Sequence, residues 1–361
     1  MGHPAHYHNV TVVMDQLREK GHEVLTVGRE KDVLIDLMKD IPYQKIFLAG
    51  KKGNSKAELA RSVLKRLFQM IRITRRFKPD LLIGTDIVIT HVGSILGIPS
   101  VLLNEDDTDQ IPLFTKYGCR FASAVLSPLS CPGEPYEYKT YKYPGYHELA
   151  YLHPRYFTPD RSKIEHLFKG RERFSIIRFS ALQSHHDVGR SGITDELALE
   201  IIQKLEKVGA VHVSAEREKA LSPLLQPYQI SIEPQYMHHA LAHCHIYVGD
   251  SQTMAAEAAV LGTPSVRFND FVGKLGYLEE LEHRFGLTFG IKTSQPDQLL
   301  ATIEQLVNRP DLKEEWEKKS QQMLTQCIDV AAFMTWFFEK FPVDRRKIDI
   351  RKKVDLQLHS E

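Results

Sequence analysis

The sequence predicts an α/β protein made of two doubly wound domains. Short apolar runs of strand length alternate with longer segments of helical periodicity, which is the pattern of parallel strands joined by crossover helices. A chain of 361 residues is also long enough to bury two hydrophobic cores. A polar stretch near 154–170 separates the two series. We therefore place the first domain at residues 1–155 and the second at residues 172–330.

Composition narrows the class of protein. The chain has 47 basic and 46 acidic residues and a net charge of +1, so it lacks the overall positive field that nucleic-acid binding favours. Its four cysteines are widely spaced without a CxxC pair, which argues against disulfides and structural zinc. There is no apolar run of roughly 20 residues and no signal-peptide pattern. We expect a soluble cytoplasmic protein with no cofactor and no nucleic-acid partner.

The elements of the first domain follow from its apolar runs and helix stops. A first helix is predicted at His8–Lys20, ended by Gly21, and a long one at Glu58–Phe77, ended before Pro79. The predicted strands are Val24–Val27, Ile46–Leu48, Leu81–Ile83 and Ser100–Leu103.

The second domain repeats this alternation. Its predicted strands are Phe174–Arg178, Ala210–Ser214, Gln229–Ile232, Ile246–Val248 and Ser265–Phe268. An aromatic helix is expected within 331–343, and its Phe333, Trp336, Phe337 and Phe338 are expected to be core rather than membrane contacts. The charged residues 344–361 are expected to form a loose tail.

The most informative segment is 249–266, which reads as a strand end, a turn, a helix and a next strand. Asp250 or Ser251 suits the N-cap of the helix, and Gly262 with Pro264 ends it. A helix that starts at the carboxyl end of a strand directs unpaired backbone N–H groups outward. The segment therefore predicts an anion site such as a diphosphate would occupy, with Ser251, Gln252 and Thr253 as nucleotide-binding candidates.

Glu257 lies on the same helix, six residues and roughly 9 Å beyond Ser251. It shares a face with Thr253, four residues earlier. A carboxylate on the second turn suits two ribose hydroxyls. The alternative is that Ser251 is only a cap and Glu257 only a solvated residue.

This segment resembles the second domain of non-hydrolysing UDP-N-acetylglucosamine 2-epimerases and related GT-B glycosyltransferases. The matching runs are EPQY at 233–236, GDS at 249–251, EA at 257–258 and LGTP at 261–264. The whole chain resembles an uncharacterised bacterial and archaeal family of GT-B-like proteins. The resemblance implies two Rossmann-like domains facing across a cleft, with the helix at 331–343 completing the first. It also implies that Ser251 contacts phosphate, Glu257 contacts ribose, and the 236–239 region closes over the base.

Two carboxylates of the first domain follow predicted strands. By the resemblance, Asp86 matches the catalytic aspartate of the epimerases and Glu105 their catalytic glutamate. Two carboxyl groups near a sugar ring can be held at different pKa values, as acid–base chemistry requires. The alternative is that Asp86 and the acidic run 104–107 cap helices without chemistry.

Two loops supply further candidates. After the strand that ends at Arg178, a loop carries His185 and His186. We favour His186 as the catalytic histidine implied by the resemblance, and His185 is a candidate substrate contact. Arg178 is a candidate partner for a diphosphate. The loop before the first helix carries His3 and His6, which are candidate substrate contacts.

A histidine-rich cluster and a basic helix have competing interpretations. Zinc binding by the cluster is disfavoured because Cys244 and His245 lead directly into a strand, whereas His239 and His243 lie one helical turn apart. The cluster comprises His238, His239, His243, Cys244 and His245. The basic helical segment 61–78 is interpreted as a helix packed on the sheet, with weak peripheral membrane contact as the alternative.

The start of the sequence differs from the resembling family, in which a short strand precedes the GHPAH loop at 2–6. A chain that begins at Met1 leaves the first sheet without a central strand. We expect exposed edges on the neighbouring strands and low stability.

Three functions remain at this stage. The favoured one is a nucleotide-sugar-dependent glycosyltransferase-like enzyme that uses a UDP-sugar in surface-polysaccharide or cell-envelope assembly. The first alternative is a UDP-N-acetylglucosamine 2-epimerase-like enzyme, although the segments after Val266 and Glu105 lack the epimerase runs TERPE and AGLR. The second alternative is a non-catalytic GT-B-like protein that binds nucleotide sugars or acts as a scaffold.

Overall fold

A computed structural model describes residues 1–30, 32–39, 41–48, 56–179, 192–215 and 221–342. The chain divides into two compact units. The first comprises Met1–His153 together with the chain from Cys327 onward, and the second comprises Pro154–Gln326.

The first unit contains six strands and seven helices within its described residues. They are α1 (Pro4–Glu19), β1 (Thr26–Arg29), α2 (Asp32–Met38), β2 (Lys45–Leu48), α3 (Lys56–Phe77), β3 (Leu82–Gly84), α4 (Ile87–Leu96), β4 (Ser100–Leu103), α5 (Pro112–Phe114), β5 (Ala124–Pro128), β6 (Thr140–Tyr143), α6 (Leu149–Leu152) and α13 (Val330–Lys340). The strands form two separate parallel sheets, one of β1 and β2 and one in the order β3-β4-β5-β6.

A cavity of about 490 Å³ lies where another strand would join these two sheets. Residues 23–29 line it on one side and residues 78–86 on the other, with apolar side chains of α1 such as Val13 and Met14 also in the wall. The expected open strand edges are therefore present on β1 and β3. Within the described residues, no strand lies between them.

Met1 occupies the end of this cavity in the register of a parallel strand. Its amino group donates to the carbonyl of Val27 over 2.7 Å, and the amide of Arg29 donates to the Met1 carbonyl over 2.9 Å. These two bonds are the parallel-ladder pattern around Gly28. Burial lowers the pKa of the Met1 amino group to about 6.

The C-terminal aromatic helix α13 belongs to the first unit, where it packs on α1 and α6. Thr335 donates to the Gln16 side chain over 2.7 Å, and Lys20 pairs with Glu339. The aromatic residues Phe333, Phe337 and Phe338 are buried and Trp336 is partly buried. The prediction that this cluster is core is therefore confirmed.

The second unit contains five parallel strands in the order β11-β10-β9-β7-β8. Its elements are β7 (Phe174–Phe179), α7 (Asp195–Leu205), β8 (Ala210–Ala215), α8 (Met237–His243), β9 (Tyr247–Gly249), α9 (Gln252–Val260), β10 (Ser265–Phe268), α10 (Gly276–His283), β11 (Thr288–Ile291), α11 (Pro296–Val307) and α12 (Leu312–Leu324). Chain order reverses between β7 and β9. A Rossmann-like sheet binds its ligands at the carboxyl ends of the strands beside this reversal.

The structure corrects one predicted strand and adds three. Residues 229–232 form no strand; Gln229 makes a single parallel bridge to Val213, and the turn at Pro234–Tyr236 follows. Strands β5, β6 and β11 were not predicted, and β1 begins two residues later than expected. Within the described residues, no helix is long and apolar enough to cross a membrane.

Candidate functional site

The reversal point of the second sheet brings two predicted site segments together. Arg178 of β7 lies in register with Gly249 of β9, and the Asp250 amide bonds to the Arg178 carbonyl. Arg178 also donates to the Ser214 hydroxyl of β8 over 2.5 Å, which fixes its guanidinium at the carboxyl edge of the sheet. The cation and the start of α9 therefore lie at neighbouring strand ends.

The start of α9 has the predicted helix-cap geometry. Ser251 is the N-cap, and its hydroxyl accepts a long hydrogen bond of 3.4 Å from the Met254 amide. The side chain of Gln252 donates to Asn269 at the end of β10 over 3.0 Å. Ser251, Gln252 and Thr253 all stay partly exposed, whereas Met254 onward is buried. This helix start can receive an anion at its free N–H groups.

Gly249 is required by a close approach at this strand end. A Cβ atom there would lie 2.5 Å from the hydroxyl of buried Tyr247 and 3.0 Å from the Arg178 carbonyl. Only glycine lets the strand end lie this close to its neighbour.

Glu257 is buried rather than solvated, which removes one of the two alternatives for this residue. The residue is 4% exposed, and its carboxylate accepts a hydrogen bond from Nε2 of His238 over 3.0 Å. His238 belongs to α8, and the ring of its neighbour His239 lies 4.9 Å from that of Phe157 between centroids, in a tilted arrangement. His238 thus holds the carboxylate of Glu257, the candidate ribose-binding group, in place. The sequence did not predict this pairing.

The histidine-rich cluster around α8 has its polar atoms directed to different partners. His239 accepts from the Asp160 amide over 3.0 Å, and the Cys244 thiol donates to the Ile246 carbonyl over 3.1 Å. No group of metal-binding side chains is found among the described residues.

In the first unit, Asp86 is an ion-paired helix cap. It accepts from the Val88 amide, and its Oδ2 atom lies 2.6 Å from Arg29 and 3.1 Å from Arg66. Burial alone would raise the pKa of Asp86, but Arg29, the Val88 amide and Arg66 together lower it below the usual value. A carboxylate held ionised in this way is a poor proton acceptor, so the catalytic role of Asp86 stays a prediction.

The N-terminal histidines have different environments. His3 is exposed and caps α1 by accepting from the Ala5 amide over 3.3 Å. His6 accepts from the Gly2 amide and lines the cavity, where burial and then His3 lower its pKa to about 3. His6 is therefore neutral at ordinary pH. The role of His3 and His6 as substrate contacts stays a prediction.

Glu105 has a partner that sequence reasoning missed. Its Oε2 atom is buried and lies 2.9 Å from Nδ1 of His147, a residue only 2% exposed. His147 precedes α6, and its carbonyl accepts from the Ala150 amide, which fixes the backbone that carries the ring. No spacing rule relates a histidine in the β6–α6 connection to a glutamate after β4. A local sequence signal for this pair does not exist.

The pKa of Asp106 depends on the charges of Glu105 and His147. Burial, and then the charge of Glu105, raise the pKa of Asp106 to about 7, while His147 acts in the opposite direction. The backbone of the run is held by the Asn104 side chain, which donates to the Asp106 carbonyl over 2.7 Å, and by the Cys131 thiol, which donates to the Glu105 carbonyl. The end of β4 thus carries one carboxyl group, that of Asp106, whose pKa lies near neutral pH.

The candidate histidines His185 and His186 lie outside the described residues, as does the tail 344–361. Their predicted roles therefore stay predictions.

Solved structures with this fold are GT-B proteins. A Listeria monocytogenes protein assigned as a UDP-N-acetylglucosamine 2-epimerase has a TM-score of 0.66 at 15% identity, covering 96% of both chains. The spinosyn rhamnosyltransferase SpnG has a TM-score of 0.62 at 14% identity, covering 92% of this chain and 96% of its own. Arabidopsis thaliana UGT89C1, solved with UDP, has a TM-score of 0.62 at 11% identity with the same coverage. The predicted GT-B-like fold class is confirmed.

The chain belongs to the family described as "Protein of unknown function (DUF354)", whose model matches residues 2–274. Comparison with curated proteins gives no significant match.

Proposed function

We propose that this protein is a nucleotide-sugar-dependent enzyme that transfers a sugar from a UDP-sugar to an acceptor in surface-polysaccharide or cell-envelope assembly. The observation that carries the proposal is the reversal point of the second sheet, where Arg178 lies in register with the strand end that leads into α9 and buried Glu257 lies on the second turn of that helix. One cation, one set of free helix N–H groups and one fixed carboxylate match a diphosphate followed by a ribose.

The roles follow from the charges. The diphosphate binds at Ser251, Gln252 and Thr253 with Arg178 alongside, and the ribose hydroxyls donate to Glu257. The support from other proteins is the fold shared with glycosyltransferases, one of them solved with UDP.

Transfer is favoured over epimerisation by the state of Asp86. An epimerase by the resemblance would use Asp86 as an acid–base group, yet Arg29 and Arg66 hold this carboxylate ionised. Transfer needs only one base. In that step the acceptor hydroxyl loses its proton to Glu105 as its oxygen bonds to the anomeric carbon. The bond from that carbon to the diphosphate breaks, and the electron pair leaves with the UDP.

Epimerisation remains the second candidate because the Listeria protein assigned as an epimerase shares the fold over 96% of both chains. The two reactions give different products from UDP-N-acetylglucosamine alone. Epimerisation yields an isomeric UDP-sugar without an acceptor, whereas transfer leaves the donor unchanged until an acceptor is added and then releases UDP.

The binding site is tested by calorimetric titration of UDP and UDP-N-acetylglucosamine. Glu257→Ala should weaken binding by about 1 to 3 kcal/mol, because charge-assisted hydrogen bonds to the ribose are lost. Glu257→Gln is the matched control, since it keeps the shape of the side chain and one acceptor oxygen. Its affinity for the nucleotide should lie between those of the wild type and Glu257→Ala. Equal affinity in all three proteins would refute the ribose assignment, and no binding of any nucleotide by the wild type would refute the proposed function.

A further inference from the structure

The outer face of α3 is strongly basic. From Arg61 to Lys78 the chain has seven Lys or Arg residues and no Asp or Glu. Of these residues, Arg66 turns inward to pair with Asp86 and its side chain is 11% exposed. The exposed basic residues of the helix are Arg61, Lys65, Arg72, Arg75 and Arg76.

Two large apolar side chains lie among these charges. Phe68 is 69% exposed and Leu64 is 54% exposed. The spacing places both on one side of the helix with the basic residues, since positions three, four and seven apart share a face. We call this surface the basic apolar face of α3; it consists of Arg61, Leu64, Lys65, Phe68, Arg72 and Arg75.

Neighbouring helical segments continue the same kind of surface. Helix α4 packs on α3 and exposes 56% of Ile95. The helical turn 115–119 packs on α4 in turn, and the Ser94 hydroxyl donates to the Phe121 carbonyl. Exposed apolar and basic residues alternate along residues 113–121; they are Leu113, Lys116, Tyr117, Arg120 and Phe121.

This exposure is concentrated in the first unit. Of the ten large hydrophobic residues that are strongly exposed in the described part of the chain, nine lie in the first unit and only Leu224 lies in the second. Exposed apolar groups ringed by like charges mark an interaction surface rather than ordinary solvated surface.

We propose that the basic apolar face of α3 binds the surface of an anionic lipid bilayer. The charges are complementary, because the basic side chains can reach the lipid phosphates. At the same time, Phe68 and Leu64 can insert into the boundary between headgroups and acyl chains. A polyanion such as a nucleic acid would bind the basic side chains but would gain little affinity from Leu64 and Phe68. This proposal is independent of the proposed reaction.

The experiment is co-sedimentation of the whole protein with vesicles of phosphatidylcholine, with and without phosphatidylglycerol. The wild type should bind only the anionic vesicles, and binding should fall as salt is raised. Phe68→Ser and Arg72→Glu should each reduce binding about tenfold or more. Because both side chains are exposed, the melting temperatures of these variants should match the wild type.

The controls lie in the second unit. Leu224→Ser removes an apolar side chain of similar exposure, 66%, and Lys318→Glu reverses an exposed charge on α12; both should bind vesicles as the wild type does. Equal binding to neutral and anionic vesicles, or equal losses in the controls, would overturn the proposal. So would loss of binding in Arg72→Glu but not in Phe68→Ser, which would indicate a surface for soluble polyanions.

Discussion

Gly249 shows how one residue without a side chain shapes the candidate nucleotide site. Gly249→Ala should lower stability by about 1 to 3 kcal/mol, because a Cβ atom would overlap the Tyr247 hydroxyl and press on the Arg178 carbonyl. Thermal unfolding measures the loss. The double variant with Tyr247→Phe should recover part of it, since the nearest atom is then removed. A Gly249→Ala variant as stable as the wild type would show that the strand end relaxes freely.

Asp106 should make stability depend on pH in an unusual direction. Its pKa rises from 3.8 to about 7 on folding, so between these values the folded chain binds more protons than the unfolded chain. This residue therefore lowers stability as pH rises, by about 1.4 kcal/mol for each pH unit in that window. Asp106→Asn lacks this titration. Its melting temperature should exceed that of the wild type by a margin that grows from pH 4 to pH 7 and then stays constant.

A margin that does not change with pH would contradict the prediction. Glu105→Gln offers an independent check, because removing the charge of Glu105 should lower the pKa of Asp106, measured from its carboxyl resonance by NMR.

Residue roles were predictable from the sequence where they are set by local geometry. Ser251 caps α9 and Gly262 ends it with a positive φ of 73°, and both follow from neighbours within a few positions. His147 and His238 could not be paired with Glu105 and Glu257 in the same way. Each pair joins different elements, and the contact exists only after the sheets have formed.

At the scale of elements, the strand gap gives a direct prediction. Fusing a five-residue Val/Ile strand to the amino group of Met1 should raise the melting temperature by roughly 5 °C or more, because it would bury apolar side chains in the cavity and extend the pairing begun by Met1. A Gly/Ser extension of equal length is the matched control and should give no gain. Equal melting temperatures for the two extensions would show that the cavity does not accept a strand.

Strand prediction succeeded where an apolar run forms a strand that is buried on both of its faces, as in β4 and β7. It failed at 229–232, because an apolar run becomes a strand only when a neighbouring strand supplies a ladder of hydrogen bonds. There the chain makes one bridge to β8 and then turns at Pro234. Pairing between distant strands is not encoded in the local pattern.

At the scale of the whole molecule, each unit has its own core. We expect two calorimetric unfolding transitions, of which a bound nucleotide raises only the one that belongs to the second unit. At a ligand concentration a hundred times the dissociation constant, the stabilisation should be about 2.7 kcal/mol. The unit is identified by repeating the scan with Gly249→Ala, which should lower the same transition. A nucleotide that shifted both transitions equally would contradict a site confined to the second sheet.

The open edges of β1 and β3 also predict an inverted pattern of hydrogen exchange. In a complete parallel sheet the middle strands exchange most slowly. Here the Thr26 amide bonds to Gln44 and the Leu82 amide to Pro99, so strand alternation directs the backbone groups of Leu25 and Ile83 into the cavity. Those two amides should exchange orders of magnitude faster than their immediate neighbours. The middle of this domain, rather than its rim, is then where solvent first reaches the backbone.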